Sequence, residues 1–405
     1  MFMNIGFIST WFERGAAYVT KSYIEALQDK NNIFVYARGG ESFAKDDSDW
    51  NKDYVTWGKR LSGTNINKIH LYEWIKKNEI NVVFFNEQHE FSIVASLKRD
   101  FRNLKIGSYI DYYKENTIEF FDIYDFIICN TKRHYEAFEN HKQKYFVPWG
   151  TNTNIFKPNY QLAKKSNELV FFHSAGMSNR KGTDLVIKAF IKGELFNRSK
   201  LIIHTQVDIK GISGYETNDL LKYNIQVIKK TVTAPGLYYL GDVYVYPTKL
   251  EGLGLTIFEA LASGLPVITT DNAPMNEVVT NDVGKLIEVE RLYSRSDGYY
   301  WPLSVCSISD LINKMSYYIE NYSNLDEFKV RARKYAEEKL DWKDQTERVN
   351  DIFNETIIKD FNKELYVKII KKEKDEKIVH LKLGLNTNNI FGELAKQIFD
   401  IKRSK

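Results

Sequence analysis

Short apolar runs alternate with stretches of helical period along most of this chain, and that rhythm restricts it to parallel sheets covered by helices on both faces. In the first half, Asn4 to Ser9, Asn81 to Phe85, Lys105 to Ile110 and Tyr124 to Cys129 read as buried strands. Between them lie segments such as Ile66 to Trp74, where apolar residues recur every three or four positions. The pattern stops in the polar, Gly- and Pro-bearing stretch from Trp149 to about Ser166. It restarts with the strand Leu169 to His173, a helix from about Gly182, the strand Leu201 to His204, and the strand Asp242 to Tyr246. Two doubly wound α/β domains are therefore expected, over residues 1–150 and 151–341, which suits a chain of 405 residues because a single core stops growing below that size. Ligands of open α/β sheets sit outside the carboxyl ends of the strands, so motifs at those ends carry the functional information.

Composition excludes several classes. With 43% hydrophobic and 27% charged residues the chain is an ordinary globular one. Cys129 and Cys306 stand far apart with no metal-ligand spacing, which points to a reducing, cytoplasmic setting and to neither a disulfide framework nor a structural zinc site. No run approaches the roughly 20 apolar residues of a membrane span. The net charge of +4 gives no reason to expect a nucleic-acid partner. The positive excess lies in the tail, where residues 358–405 carry twelve Lys/Arg against seven Asp/Glu. A solvated helical face, a peripheral membrane-surface contact through Lys371, Lys372, Lys374 and Lys377, a self-association element and a partner-docking arm are the readings open for that tail, whose Ile390, Leu394 and Ile398 share one helical face for packing.

The most informative stretch runs from Tyr246 to Ile268 and reads strand, glycine loop, helix, glycine stop, strand. Gly252 and Gly254 allow close approach of backbone amides to a ligand. A helix opening near Thr256 aims unpaired N–H groups and its positive end at the same spot, which is where a phosphate binds. Glu251 in the loop and Glu259, eight residues on, flank one mouth. Carboxylates would repel a phosphate, so their natural partners are hydroxyls, which they bind as charged acceptors. A nucleotide sugar presents both kinds of group.

Glu251-x7-Glu259 within EGLGLTIFEALASGLPVITTD resembles the signature of retaining glycosyltransferases of the GT-B fold, family 4 type (glycosyl transferases group 1), which includes sucrose synthases and bacterial mannosyl- and glucosyltransferases. The resemblance implies a GT-B fold of two Rossmann-like domains facing a central cleft. It further implies metal-independent transfer of a sugar from a UDP- or GDP-linked donor to an acceptor hydroxyl with the anomeric configuration kept. Glu251 would contact the donor sugar and Glu259 the ribose, with Gly252, Leu253, Gly254, Leu255 and Thr256 lining the diphosphate.

The segment Gly176 to Asp184 resembles the family's Gly-Arg…Lys-Gly loop, whose cations neutralise the leaving diphosphate. Lys181 carries over directly, whereas the arginine expected after Gly176 is Met177. Arg180 is the substitute on charge, or else part of a solvated basic turn. In the first domain Gly15 falls at the family's glycine turn, facing donor and acceptor or simply letting the chain enter a helix. Where relatives carry a strand-end histidine this chain has Asp111, which either works on the acceptor side or caps a helix near Lys114. His89 is an alternative acceptor-side group. Gly150 to Pro158 resembles the family's hinge, and Asp341-Trp342-Lys343 the start of a helix, here 342–357, that crosses back to the first domain. Residues 358–405 lie outside the resemblance. The acceptor is left open among glycans, lipid-linked carriers, proteins and small molecules. Two rival functions, a catalytically silent GT-B binding subunit and a nucleotide-sugar epimerase, are also open.

Overall fold

The computed structural model describes residues 2–39, 43–61, 63–159 and 168–382. The lysine at 377 is described only as part of a helix backbone, and Ile390, Leu394 and Ile398 lie outside the described residues. The chain divides into two compact units. The first comprises residues 1–148, 294–301 and 344–405, and the second residues 149–293 and 302–343.

The first unit is built on β1 (Asn4–Thr10), β2 (Asn32–Arg38), β3 (Val55–Trp57), β4 (Val82–Phe85), β5 (Lys105–Tyr109), β6 (Phe126–Cys129) and β7 (Lys144–Phe146). They form one parallel sheet in the order β3-β2-β1-β4-β5-β6-β7. Every residue of β4, β5 and β6 is buried, as expected for strands covered on both faces. Strand order reverses between β1 and β4, which makes the carboxyl ends of those two strands and of β5 the natural ligand position in this unit.

Charge inside this unit is paired. The Lys98 ammonium donates to the Asp125 carboxylate, both buried, and the same carboxylate accepts from the backbone of Ile106 at 2.7 Å and of Lys359 at 2.6 Å. One aspartate thus ties the helix Phe91–Asp100, β5 and the C-terminal segment together. The tail continues as a helix over Lys363–Lys382. Its Leu365 and Ile369 are buried in the core beside Phe91, Phe120 and Phe121. On its other side Lys368 pairs with Glu119 at 2.6 Å, and Lys372 donates to the Asn116 carbonyl at 2.8 Å. The excess of lysine in the tail is thus partly spent within the unit.

The second unit carries β8 (Leu169–Gly176), β9 (Ser199–Thr205), β10 (Ile225–Lys229), β11 (Val243–Tyr246), β12 (Val267–Thr270) and β13 (Gly284–Ile287), all parallel. Their order is β10-β9-β8-β11-β12-β13, with the reversal between β8 and β11. A separate antiparallel pair, β14 (Val289–Tyr293) and β15 (Leu303–Cys306), follows. The former linker region is structured against the end of this unit. Thr151 and Asp341 form a bridge closed by Thr151 N–H to Leu340 carbonyl at 2.7 Å and by Trp342 N–H to Thr151 carbonyl at 3.0 Å. The Arg333 guanidinium donates to the carbonyls of Thr153, Phe156 and Ala262, fixing the linker to the end of the helix Leu255–Ala262.

Candidate active site

In the second unit the expected loop and helix fall at the reversal point. β8 ends at Gly176 and leads through the turn Asn179–Lys181 into the helix Thr183–Lys192. Ser178 starts that turn by accepting from the Arg180 backbone N–H at 3.2 Å. Gly182 then takes the left-handed region at φ +74°, and a Cβ there would stand 2.1 Å from the Pro247 carbonyl oxygen, so only glycine lets the two loops meet. The meeting is held by Lys249 N–H donating to the Arg180 carbonyl at 2.8 Å.

That contact places Lys181 on Glu251. The ammonium lies 2.7 and 2.9 Å from the two carboxylate oxygens. Thr248 and Tyr246 hydroxyls donate to Glu251 Oε1 at 2.6 and 2.8 Å. Glu251 is nearly fully buried. Burial by itself would raise its carboxyl, but Lys181 and Arg180 together with the bonds from Lys181 and Thr248 bring it down to about 2. Burial lowers Lys181, and the adjacent Glu251 carboxylate opposes that shift.

Gly254, at φ +78°, is the N-cap of the helix Leu255–Ala262. Among the described residues no protein group accepts from the backbone N–H of Leu255 or Thr256, so the helix start presents donors. Glu259 lies one turn in. Its Oε2 accepts from the Tyr238 hydroxyl at 2.5 Å, while burial raises its carboxyl against the effect of that bond and of Lys181. Sequence reasoning missed Tyr238, Tyr246 and Thr248. Tyr238 comes from the short turn Tyr238–Leu240, and nothing in its neighbours marks it.

In the first unit Asp111 lies just past β5, and it does not cap the following 3-10 helix. Lys114 holds the cap position of Glu115–Ile123, with Thr117 Oγ1 accepting from the Lys114 N–H at 2.8 Å. Asp111 instead lies near enough to Glu87, which follows β4, for the two charges to interact. Burial, then the neighbouring Asp111 charge, push the Glu87 carboxyl up to about 8, with Arg14 and Arg38 opposing. Arg14 Nη2 lies 3.6 Å from Glu87 Oε2. Gly15 opens the helix Gly15–Leu27 directly after Arg14. The His89 ring packs on Tyr112 with centroids 4.6 Å apart, and Tyr112 also stacks on Tyr299 at 5.3 Å. Tyr299 also donates from its hydroxyl to the Asp111 carbonyl at 3.1 Å.

Two parallel α/β domains of this construction have the GT-B fold of glycosyltransferases. Residues 156–297 match the family model described as glycosyl transferases group 1. Over 184 residues the chain is 30% identical to a probable sucrose-phosphate synthase of Thermosipho melanesiensis, a match covering 38% of this chain and 41% of that protein. The chain spans less than half the length of the curated relatives it matches. Among solved structures it is similar to a glycosyltransferase from Rickettsia africae, with a TM-score of 0.69 at 14% identity, covering 87% of this chain and 99% of that one. It is also similar to HepE of Anabaena, solved with UDP and glucose, with a TM-score of 0.65, 14% identity and the same coverage.

Proposed function

We propose that this chain is a retaining, metal-independent hexosyltransferase that moves a sugar from a nucleoside-diphosphate donor to an acceptor hydroxyl. The observation that carries the reading is the Lys181–Glu251 pair beside a glycine-capped helix start whose first amides have no protein acceptor. A diphosphate on those amides would place Lys181 between two anions, the phosphate and Glu251. As the sugar–phosphate bond breaks, negative charge grows on the departing oxygen, and preorganised donors there lower the barrier more than donors in water do. Arg180 adds a second positive charge on the same turn, and its lowering effect on Glu251 supports that role. Gly176, Gly252 and Leu253 complete the donor loops.

Glu251, held ionised, is the acceptor for donor-sugar hydroxyls, and Glu259, oriented by Tyr238, for those of the ribose. The leaving phosphate oxygen takes the acceptor proton on the same face of the sugar, which retains the configuration. Asp111, just past β5, and Gly15, at the start of its helix, are the acceptor-side groups of this reading. The buried, unpaired thiols of Cys129 and Cys306 support a reducing, cytoplasmic setting. Among the described residues no helix is long and apolar enough to cross a membrane.

Calorimetry with UDP, GDP and ADP, followed by a screen of the corresponding sugar nucleotides for released nucleoside diphosphate, tests the reading. One nucleotide binding at micromolar to low millimolar concentration, with turnover of its sugar conjugate, is expected. No binding of any of the three would remove it, and an epimerised sugar nucleotide in place of released diphosphate would replace it with an isomerase.

A further inference from the structure

The groups that hold Glu251 differ in how far they can move. Its Oε1 accepts from the Thr248 hydroxyl at 2.6 Å, the Tyr246 hydroxyl at 2.8 Å and the Lys181 ammonium at 2.7 Å, while Oε2 accepts from the same ammonium at 2.9 Å. The two hydroxyls belong to a fixed frame. Tyr246 and Thr248 are buried, and β12 pins the backbone that carries them: Thr269 Oγ1 donates to the Tyr246 carbonyl and Thr270 Oγ1 to the Thr248 carbonyl, both at 2.8 Å. The next carbonyl, of Lys249, accepts from the Ser304 N–H at 2.8 Å, so β15 holds the loop from its other side. Lys181 is different. Its side chain is 20% exposed against 7% for Glu251, and its ammonium rides on a flexible stem from the turn Asn179–Lys181. The ammonium is therefore the group that can leave the carboxylate, and Oε2 is the oxygen it uncovers.

We propose that Lys181 masks Glu251 in the nucleotide-free protein, and that a bound diphosphate unmasks it by drawing the ammonium off Oε2. The proposal rests on the donor reading above. Oε1 keeps the Tyr246 and Thr248 hydroxyls throughout, so the carboxylate stays in place while Oε2 becomes an acceptor for a sugar hydroxyl. Tyr246 and Thr248 act only through Glu251 and are positioning residues. A sugar arriving alone has to part a buried carboxylate from its ammonium, which costs more than the new hydroxyl bond returns. With a diphosphate present the ammonium exchanges one anion for another, and that cost disappears. The nucleotide and sugar halves of the donor are therefore bound cooperatively, each tightening the other by the same factor. The phosphate that matters is the one bonded to the sugar, because a cation on the leaving oxygen sits beside the group that holds the sugar. A nucleoside monophosphate lacks that phosphate and leaves the mask in place.

The test uses the full chain with the diphosphate and monophosphate of whichever nucleoside it binds among uridine, guanosine and adenosine. Free glucose, galactose, mannose and N-acetylglucosamine are the sugar probes. Calorimetry measures the nucleotide Kd with and without each sugar in excess. In the wild type at least one sugar should tighten the diphosphate about tenfold and the monophosphate less than about twofold. Lys181→Met has no ammonium to withdraw, so the same sugar should change its diphosphate Kd by less than about twofold. A crystal structure of the wild type with the diphosphate gives a second readout that needs no variant. There the ammonium should lie on phosphate oxygens and off Oε2, with the Tyr246 and Thr248 hydroxyls still on Oε1. An ammonium still bonded to both oxygens of Glu251 in that complex overturns the proposal, as does a sugar effect of equal size on the monophosphate or in Lys181→Met. Diphosphate binding that no sugar tightens also overturns it while leaving the donor reading standing. Failure of the wild type to bind any of the nucleotides removes both.

Discussion

The Tyr238 hydroxyl is bonded to Glu259 at 2.5 Å, so the second glutamate of the motif is oriented by a tyrosine from the turn before β11. Tyr238→Phe removes that bond and leaves a half-buried carboxylate freer to turn. A loss of about 1–2 kcal/mol in nucleotide binding is expected, of the size seen when a hydrogen bond to a charged group is deleted. Calorimetry with the preferred nucleoside diphosphate measures it, and unchanged affinity would show that Tyr238 does not position Glu259.

Lys181→Met separates the two parts that this lysine plays. It strands the buried Glu251 carboxylate, and removing one partner of such a pair costs on the order of 3 kcal/mol, read from denaturant midpoints. Turnover should fall far more than donor affinity if Lys181 acts on the leaving group. The pH dependence has a definite sign. Glu251 is lowered to about 2 in the native protein, so its pairing contributes stability above the ordinary glutamate range that is lost as pH falls from about 4.5 towards 2. In Lys181→Met that acid limb should flatten.

Glu87 has the opposite sign. Its carboxyl is raised to about 8, so the folded protein keeps a proton that the unfolded chain releases near 4.5, and stability declines as pH rises between those values. Glu87→Gln cannot lose that proton. The difference in Tm, variant minus wild type, should therefore grow from pH 5 to pH 8, and a pH-independent difference would place Glu87 in an ordinary carboxylate state.

Two glycines with similar backbone angles should respond differently to alanine. At Gly182 a Cβ would run into the Pro247 carbonyl at 2.1 Å, so Gly182→Ala must push the two loops apart and disturb Lys181 and Glu251 together. At Gly176, φ +57°, nothing lies within 4 Å of the added atom, and only the backbone cost of about 1 kcal/mol remains. Thermal melts and nucleotide binding of the two variants compare them directly.

Ile369→Ala tests whether the C-terminal helix is part of the first unit. The side chain is fully buried beside the aromatic cluster around Phe91 and Phe120, so about 2–4 kcal/mol should be lost. A neutral effect would mean that the helix is dispensable.

Much of the fold was legible because strands covered on both faces leave uninterrupted apolar runs, as in β4 and β11. The loop and helix around Glu251 were legible for a different reason, since glycine at a fixed offset from a helix start has few other uses. Short edge strands were not: β3 and β7 have three partly buried residues each and no run to detect. Glu87 gave no signal, since a lone glutamate after a strand reads as solvated polar surface and Asp111, whose charge acts on it, is distant in sequence. Tyr238 was hidden for the same reason. The passage of residues 294–301 to the first unit depends on tyrosine and tryptophan contacts, Tyr300 N–H to Tyr113 carbonyl at 3.0 Å and Trp301 to the Tyr113 hydroxyl at 2.5 Å, which no local period announces.

That passage has a consequence for anyone wishing to splice this chain. The backbone changes unit after Pro148, Tyr293, Trp301 and Lys343, so neither unit is a continuous cassette. A chimera that swaps residues 149–343 for those of a relative also discards Tyr299 and Trp301, and with them the bonds to Asp111 and Tyr113. The first unit would then lose a segment packed inside it, unless the graft restores Ser294 to Trp301.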